Sequence, residues 1–66
     1  MIDPAMDAAE YRGAIARLGL TQKQAGHWLG LSLRTAQKYA ADGAPMPVAK
    51  LLRLMLRLNL KPEDVQ

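Results

Sequence analysis

An all-α fold of four to five short helices in a single small domain is what this sequence predicts. Three observations carry that expectation: Ala and Leu dominate the apolar half of the composition, only three residues are aromatic, and helix-capping residues recur just ahead of apolar residues at helical spacing. With 66 residues, one domain with a modest core is the limit, and such a core gains from self-association. The chain has no cysteine and one histidine, His27. That rules out a disulfide framework, a thiolate metal site and a thiol nucleophile, and one imidazole cannot build a metal site alone.

The elements follow in order. Asp7 and Glu10 have capping-box spacing ahead of Ala8, Tyr11, Ile15 and Leu18, so a first helix runs from Asp7 to Leu18 and stops at Gly19. A start at Asp3, with Pro4 in the first helical position, is equally well capped, and residues 1–6 are otherwise a flexible tail. Thr21 and Gln24 form a second capping box, giving a helix through Leu29 that Gly30 ends. After the turn Gly30-Leu31-Ser32, Ser32 caps a third helix reaching about Ala41. Asp42 to Pro47 reads as a connector rich in breakers. Pro47 then opens a fourth helix over about residues 47–59, and Lys61-Pro62-Glu63-Asp64 makes a last short turn.

Charge is segregated along the chain. All nine Lys and Arg lie between Tyr11 and Pro62 with Asp42 the only acid among them, a net +8, while the other five acids sit at the two ends. A body so charged attracts polyanions, and Lys and Arg on phosphates supply most sequence-independent nucleic-acid affinity. No positive stretch followed by an apolar one marks a leader, and Arg53 and Arg57 break the Leu-rich stretch Leu51 to Leu60. A cytoplasmic protein that neither spans a membrane nor is secreted is therefore expected. One histidine, few carboxylates and no cysteine leave no nucleophile and base to pair, so an enzyme is not expected.

Residues 21–41 have the pattern of a helix-turn-helix, in which a steep crossing demands small or apolar residues at fixed offsets. Counted from Gln22, the fifth position, small, is Gly26 and the ninth is Gly30. Ala25, Leu29, Leu31, Ala36 and Tyr39 fill the fourth, eighth, tenth, fifteenth and eighteenth apolar positions. The segment LTQKQAGHWLGLSLRTAQKY, Leu20 to Tyr39, resembles the Cro and phage-repressor superfamily of transcriptional regulators, also called the XRE family. The likeness extends loosely over residues 10–65. It departs at Gly26 where Ala is usual, at Ala36 where a branched aliphatic is usual, and at Leu33 where a polar base-reader is common.

The resemblance implies a lambda-repressor-like domain of prokaryotic or phage origin that binds double-stranded DNA, a dimeric repressor or autoregulator on a short inverted repeat. In that geometry the outer face of the third helix enters the major groove. Arg34 suits guanine O6 and N7, Lys38 a guanine or phosphate, Gln37 adenine, and Leu33 a thymine methyl. Thr21, Gln22, Lys23, Ser32 and Thr35 are expected at backbone phosphates, with Arg12 and Arg17 flanking them. Trp28 is expected to pack against a neighbouring helix and His27 to lie on the surface.

Helix 4 has a wider apolar face than a small core needs. Val48, Leu51, Leu52, Met55 and Leu58 make one stripe that Leu54 and Leu56 widen, with Lys50, Arg53 and Arg57 opposite. Leu54, Leu56, Leu58 and Leu60 are the expected contact of a homodimer that sets two recognition helices about 34 Å apart. The alternative is a protein-interaction module, an antitoxin or adaptor, using that Leu-rich helix. No cofactor, metal or small-molecule ligand is expected.

Overall fold

Where the backbone's hydrogen-bonding groups go decides the helix limits. The structure is a computed structural model that describes residues 5–65. Those residues form four α-helices, α1 Ala8–Arg17, α2 Gln22–Trp28, α3 Leu33–Asp42 and α4 Met46–Arg57, and a single 3-10 turn at Pro62–Asp64; none lies in a β-strand. The molecule is all-α, with the elements in the expected order.

Each of the first three helices begins on a side-chain cap. Asp7, Thr21 and Ser32 accept from the N–H groups of Glu10, Gln24 and Thr35, satisfying donors that a helix start leaves without a partner. At Thr21 the box is complete, because the Gln24 side chain accepts from the Thr21 N–H in return. The start at Asp7 is therefore the one adopted; Asp3 and Pro4 lie outside the described residues.

The helix ends are closed by backbone. Gly30 takes φ +74°, which lets the Leu31 N–H reach the Gly26 carbonyl at 2.8 Å and the Gly30 N–H reach that of His27 at 3.1 Å. This paired closure satisfies carbonyls that the last turn would leave orphaned and turns the chain sharply into α3. α1 closes the same way through Gly19, and α4 through Asn59, whose φ of +56° is the positive value among non-glycine residues described.

Two expectations about the connections are corrected. The breaker-rich connector is shorter than expected, since α3 continues through Asp42 and α4 starts at Met46. Pro47 sits in the first turn, where no N–H is required, and Pro45 is the residue that precedes the helix. Residues 5 and 6 are also not a loose tail: Met6 is buried and pairs with Ala44 by two backbone hydrogen bonds of 2.8 and 3.2 Å. The side chain of Met6 has an apolar site to fill, so the chain ahead of α1 is held in place.

α1 packs against α2, α3 and α4, and the core forms around it. Tyr11, Ala14 and Ile15 from α1 are buried with Met6, Ala25, Ala40, Ala44, Ala49 and Leu52. Full burial of a side chain as large as Leu52 is worth about 1.5–3 kcal/mol, whereas the half-exposed ion pair Arg53–Glu10 between α4 and α1 contributes little beyond fixing how they meet. The buried stripe of α4 is Ala49, Leu52 and Met55, with Leu56 and Val48 packed beside it. It is thus turned toward Ala49 relative to the expected one, because the small Ala49 lets α4 close on the core. Leu58 stays 57% exposed.

The Tyr11 ring stands edge-on to Tyr39, centroids 6.0 Å apart and planes at 82°, a geometry worth about 0.5–1.5 kcal/mol beyond burial. Its hydroxyl is buried and meets no hydrogen-bond partner among the described residues. Burial pushes the Tyr11 phenol above its ordinary value, and Tyr39 acts in the same direction. The folded state thus favours the neutral phenol. The stability this confers is fully present below the unfolded-state value of about 10 and is lost as pH climbs through the raised folded value. Tyr11→Phe should leave stability at pH 7 unchanged or slightly higher and blunt the alkaline loss, as read from thermal unfolding at pH 7 and pH 11. A loss above about 1 kcal/mol at pH 7 would instead mean that the hydroxyl is hydrogen-bonded.

Candidate nucleic-acid interface

The residues expected to read bases share one side of α3. At 100° per residue, Leu33, Gln37, Ala41, Arg34 and Lys38 occupy a continuous arc of about 140° around α3. All five are exposed, and Leu33 is 61% so. Ala36 and Ala40, which follow the Leu33 edge of that arc around the helix, are buried. Ala41 was not among the expected contacts; helical periodicity places it on this face, between Gln37 and Arg34. It is too small to hydrogen-bond and leaves the centre of the arc low.

α2 adds a second edge. Gln22 and Lys23 line one shallow groove with Leu33, Ala36 and Gln37, and Lys23 and Leu33 also border an adjoining hollow floored by Gly26, with His27 and Leu31 on its rim. Gln22, Lys23, Leu33 and Gln37, four of the residues picked out from sequence, therefore meet at one place. Arg34 and Lys38 stand on the flank of that groove.

The capping bonds settle which polar groups are still available. The Thr21 N–H is engaged by Gln24, so the backbone donors left at this end of α2 belong to Gln22 and Lys23. The Ser32 hydroxyl accepts from the Thr35 N–H and donates to the Thr35 hydroxyl at 3.0 Å. Its one proton is committed. The Thr35 hydroxyl keeps its own proton, so of this pair Thr35 is the donor that can meet a phosphate and Ser32 the residue that orients it.

Among the described residues the one ion pair is Arg53 with Glu10, which leaves Arg34, Lys38 and Lys23 without a salt-bridged partner. Arg12, expected beside a phosphate, donates from Nη1 to the Ala40 carbonyl near the end of α3. Arg17 lines a separate recess with Leu18, Asn59 and Lys61, at the meeting of the α1 and α4 ends. His27 is exposed, and Trp28 is half-buried and packs against the core, as expected for both.

The four leucines expected at a dimer contact divide into two pairs. Leu54 and Leu58 are 51% and 57% exposed, while Leu56 packs against the core and Leu60 is half-buried with its N–H on the Met55 carbonyl. Only the first pair is a free surface, and Leu51 continues it toward a shallow recess bordered by Trp28, Leu29 and Val65. No helix among the described residues is long and apolar enough to cross a membrane, and none of their His, Asp and Glu side chains gather in threes that could hold a metal ion. Comparison of the chain with protein-family models, curated proteins and solved structures gives no match.

Two of the three departures from the expected pattern, Gly26 and Ala36, prove complementary. A Cβ built on Gly26 would lie 2.5 Å from the Ala36 Cβ, closer than two carbons can approach. Glycine on α2 and alanine on α3 together allow a closer contact than Ala against a branched residue would. Gly26→Ala gains about 1 kcal/mol in helix propensity but forces apart two backbones whose contact has no flexible side chain to yield, an overpacking cost of about 1–3 kcal/mol. The variant should be less stable by about 1 kcal/mol in urea unfolding, and adding Ala36→Gly should restore part of the loss; a more stable single variant would refute the contact.

Proposed function

We propose that the chain is a sequence-specific double-stranded-DNA-binding regulator in which α2 and α3 form a helix-turn-helix and α3 reads the major groove. The observation that carries this reading is the exposed arc of Arg34, Gln37, Lys38 and Leu33 on α3, without a salt-bridged partner among the described residues and met at one groove by Gln22 and Lys23 of α2. Residues near the start of α3 penetrate furthest, so Arg34 grips a guanine through O6 and N7, and Lys38, one turn on, meets a second guanine or a phosphate. Gln37 pairs with adenine and Leu33 covers a thymine methyl. Gln22, Lys23 and Thr35 hold the backbone, with Thr21 and Ser32 fixing the helix starts from which they reach.

Leu33 cannot hydrogen-bond, and Ala41 leaves the rest of the arc low, so one recognition helix distinguishes few base pairs. A homodimer through Leu54 and Leu58 would double the site, and two half-sites in inverted order are what two-fold symmetry requires. On this reading the protein represses by occupying a promoter, in the manner of the Cro and phage-repressor superfamily that Leu20 to Tyr39 resembles, and performs no chemistry.

Arg34→Ala should weaken binding to a selected site by about 1–3 kcal/mol and relax the preference at one base pair, whereas Lys23→Ala should weaken binding to all sequences alike and reduce the salt dependence by about one counterion. Fluorescence titrations at two salt concentrations read both. Unchanged affinity and preference in Arg34→Ala would reject the assignment of α3 and favour the interaction-module reading of α4.

A further inference from the structure

We propose that Arg12 is a positioning residue for base readout: from α1 it holds the C-terminal end of α3 and so sets the angle at which Arg34 and Lys38 present to DNA. The inference rests on the DNA-binding reading and adds a residue outside the interface to it. Four observations converge on this tie. The Ala40 carbonyl is one of the last four in α3, which a helix leaves without an intrahelical partner. Had the helix continued, the Ala44 N–H would reach it. That N–H donates instead to the Met6 carbonyl at 2.8 Å, and the Arg12 guanidinium takes its place on Ala40.

No basic residue lies in the last turn of α3, and its last residue is Asp42, whose charge is unfavourable beside the negative end of a helix dipole. Arg12 supplies from a different helix the cation and the donor that α3 lacks. The contact joins residues 28 apart in sequence. The N-terminal end of α3 is fixed independently, by the Gly30 turn and the Ser32 cap. With both ends held, and Tyr39 packed edge-on to Tyr11 between them, α3 is restrained from pivoting about the Gly26–Ala36 contact, where no long side chain interlocks the helices. Arg34 and Lys38 stand a turn apart along this helix, so a pivot moves them by different amounts and only a fixed angle lets both meet their bases.

Arg12→Met keeps the aliphatic stem and removes every side-chain donor; Arg12→Lys keeps the charge and a flexible ammonium in place of the planar guanidinium. The readout is the ratio of affinity for a selected site to affinity for random duplex, with the salt dependence of each. Arg12→Met should lower that ratio about tenfold, the loss expected for one charge-assisted hydrogen bond, with the salt slope unchanged. Arg12→Lys should lose about threefold. A folded Arg12→Met with the wild-type ratio overturns the proposal, as does a uniform loss on all sequences with a slope smaller by about one, which would make Arg12 a phosphate ligand. If Arg12→Met does not fold, a wild-type ratio in Arg12→Lys overturns it equally. Wild-type protein that binds no duplex above background rejects the DNA-binding reading itself, an outcome distinct from the others.

Discussion

The contact between Gly26 and Ala36 is the constraint on which the arrangement of α2 and α3 depends. With a missing side chain on one helix and a single methyl on the other, the two backbones approach more closely than any larger pair permits. That approach buries Ala25 and Ala36 and brings Gln22 and Lys23 beside Leu33 and Gln37. It also has a cost: a contact this smooth resists sliding poorly. The fold compensates at the ends of α3, with a paired backbone closure at Gly30 and a hydroxyl cap at Ser32 on one side and the Arg12 tie on the other.

Around that pair the rest of the chain acts as a frame. α1 touches every other helix, and its Tyr11 and Ile15 fill the space that the small residues of α2, α3 and α4 leave open. The division of labour is physical. Tyr11 and Ile15 of α1, Leu52 and Met55 of α4 and Met6 supply the large buried side chains, while alanines and Gly26 allow close approach between the helices. Polar ties then fix orientation: Met6 to Ala44, Arg12 to Ala40, and Arg53 to both Glu10 and the Ala5 carbonyl. Each joins a segment near the start of the chain to one far along it.

What could be read from the sequence follows from that division. Caps, capping boxes and glycine stops act within four residues, so Asp7, Thr21, Gly30 and Ser32 revealed the starts and ends of three helices. The exposed arc of α3 was equally legible, because helical periodicity alone puts Leu33, Arg34, Gln37 and Lys38 on one side. The ties to Met6 and Ala44, and of Arg12 to Ala40, were not legible, since nothing local marks which distant carbonyl a side chain or a bridge will meet. For the same reason Arg12 looked like a free cation. The face of α4 was misjudged by its leucines: an apolar count favours Leu58 over Ala49, but packing against α1 favours the small residue.

On this account basic charge brings the protein to DNA, and a rigidly held α3 turns attraction into preference. The two terms separate in one measurement: selection of bound oligonucleotides from a random duplex pool at near-physiological salt, where nonspecific electrostatic binding is weakened. The account predicts recovery of a short inverted repeat with guanine enriched within each half-site, and half-site centres about one helical turn apart. Recovery of a pool no different from the input would contradict it.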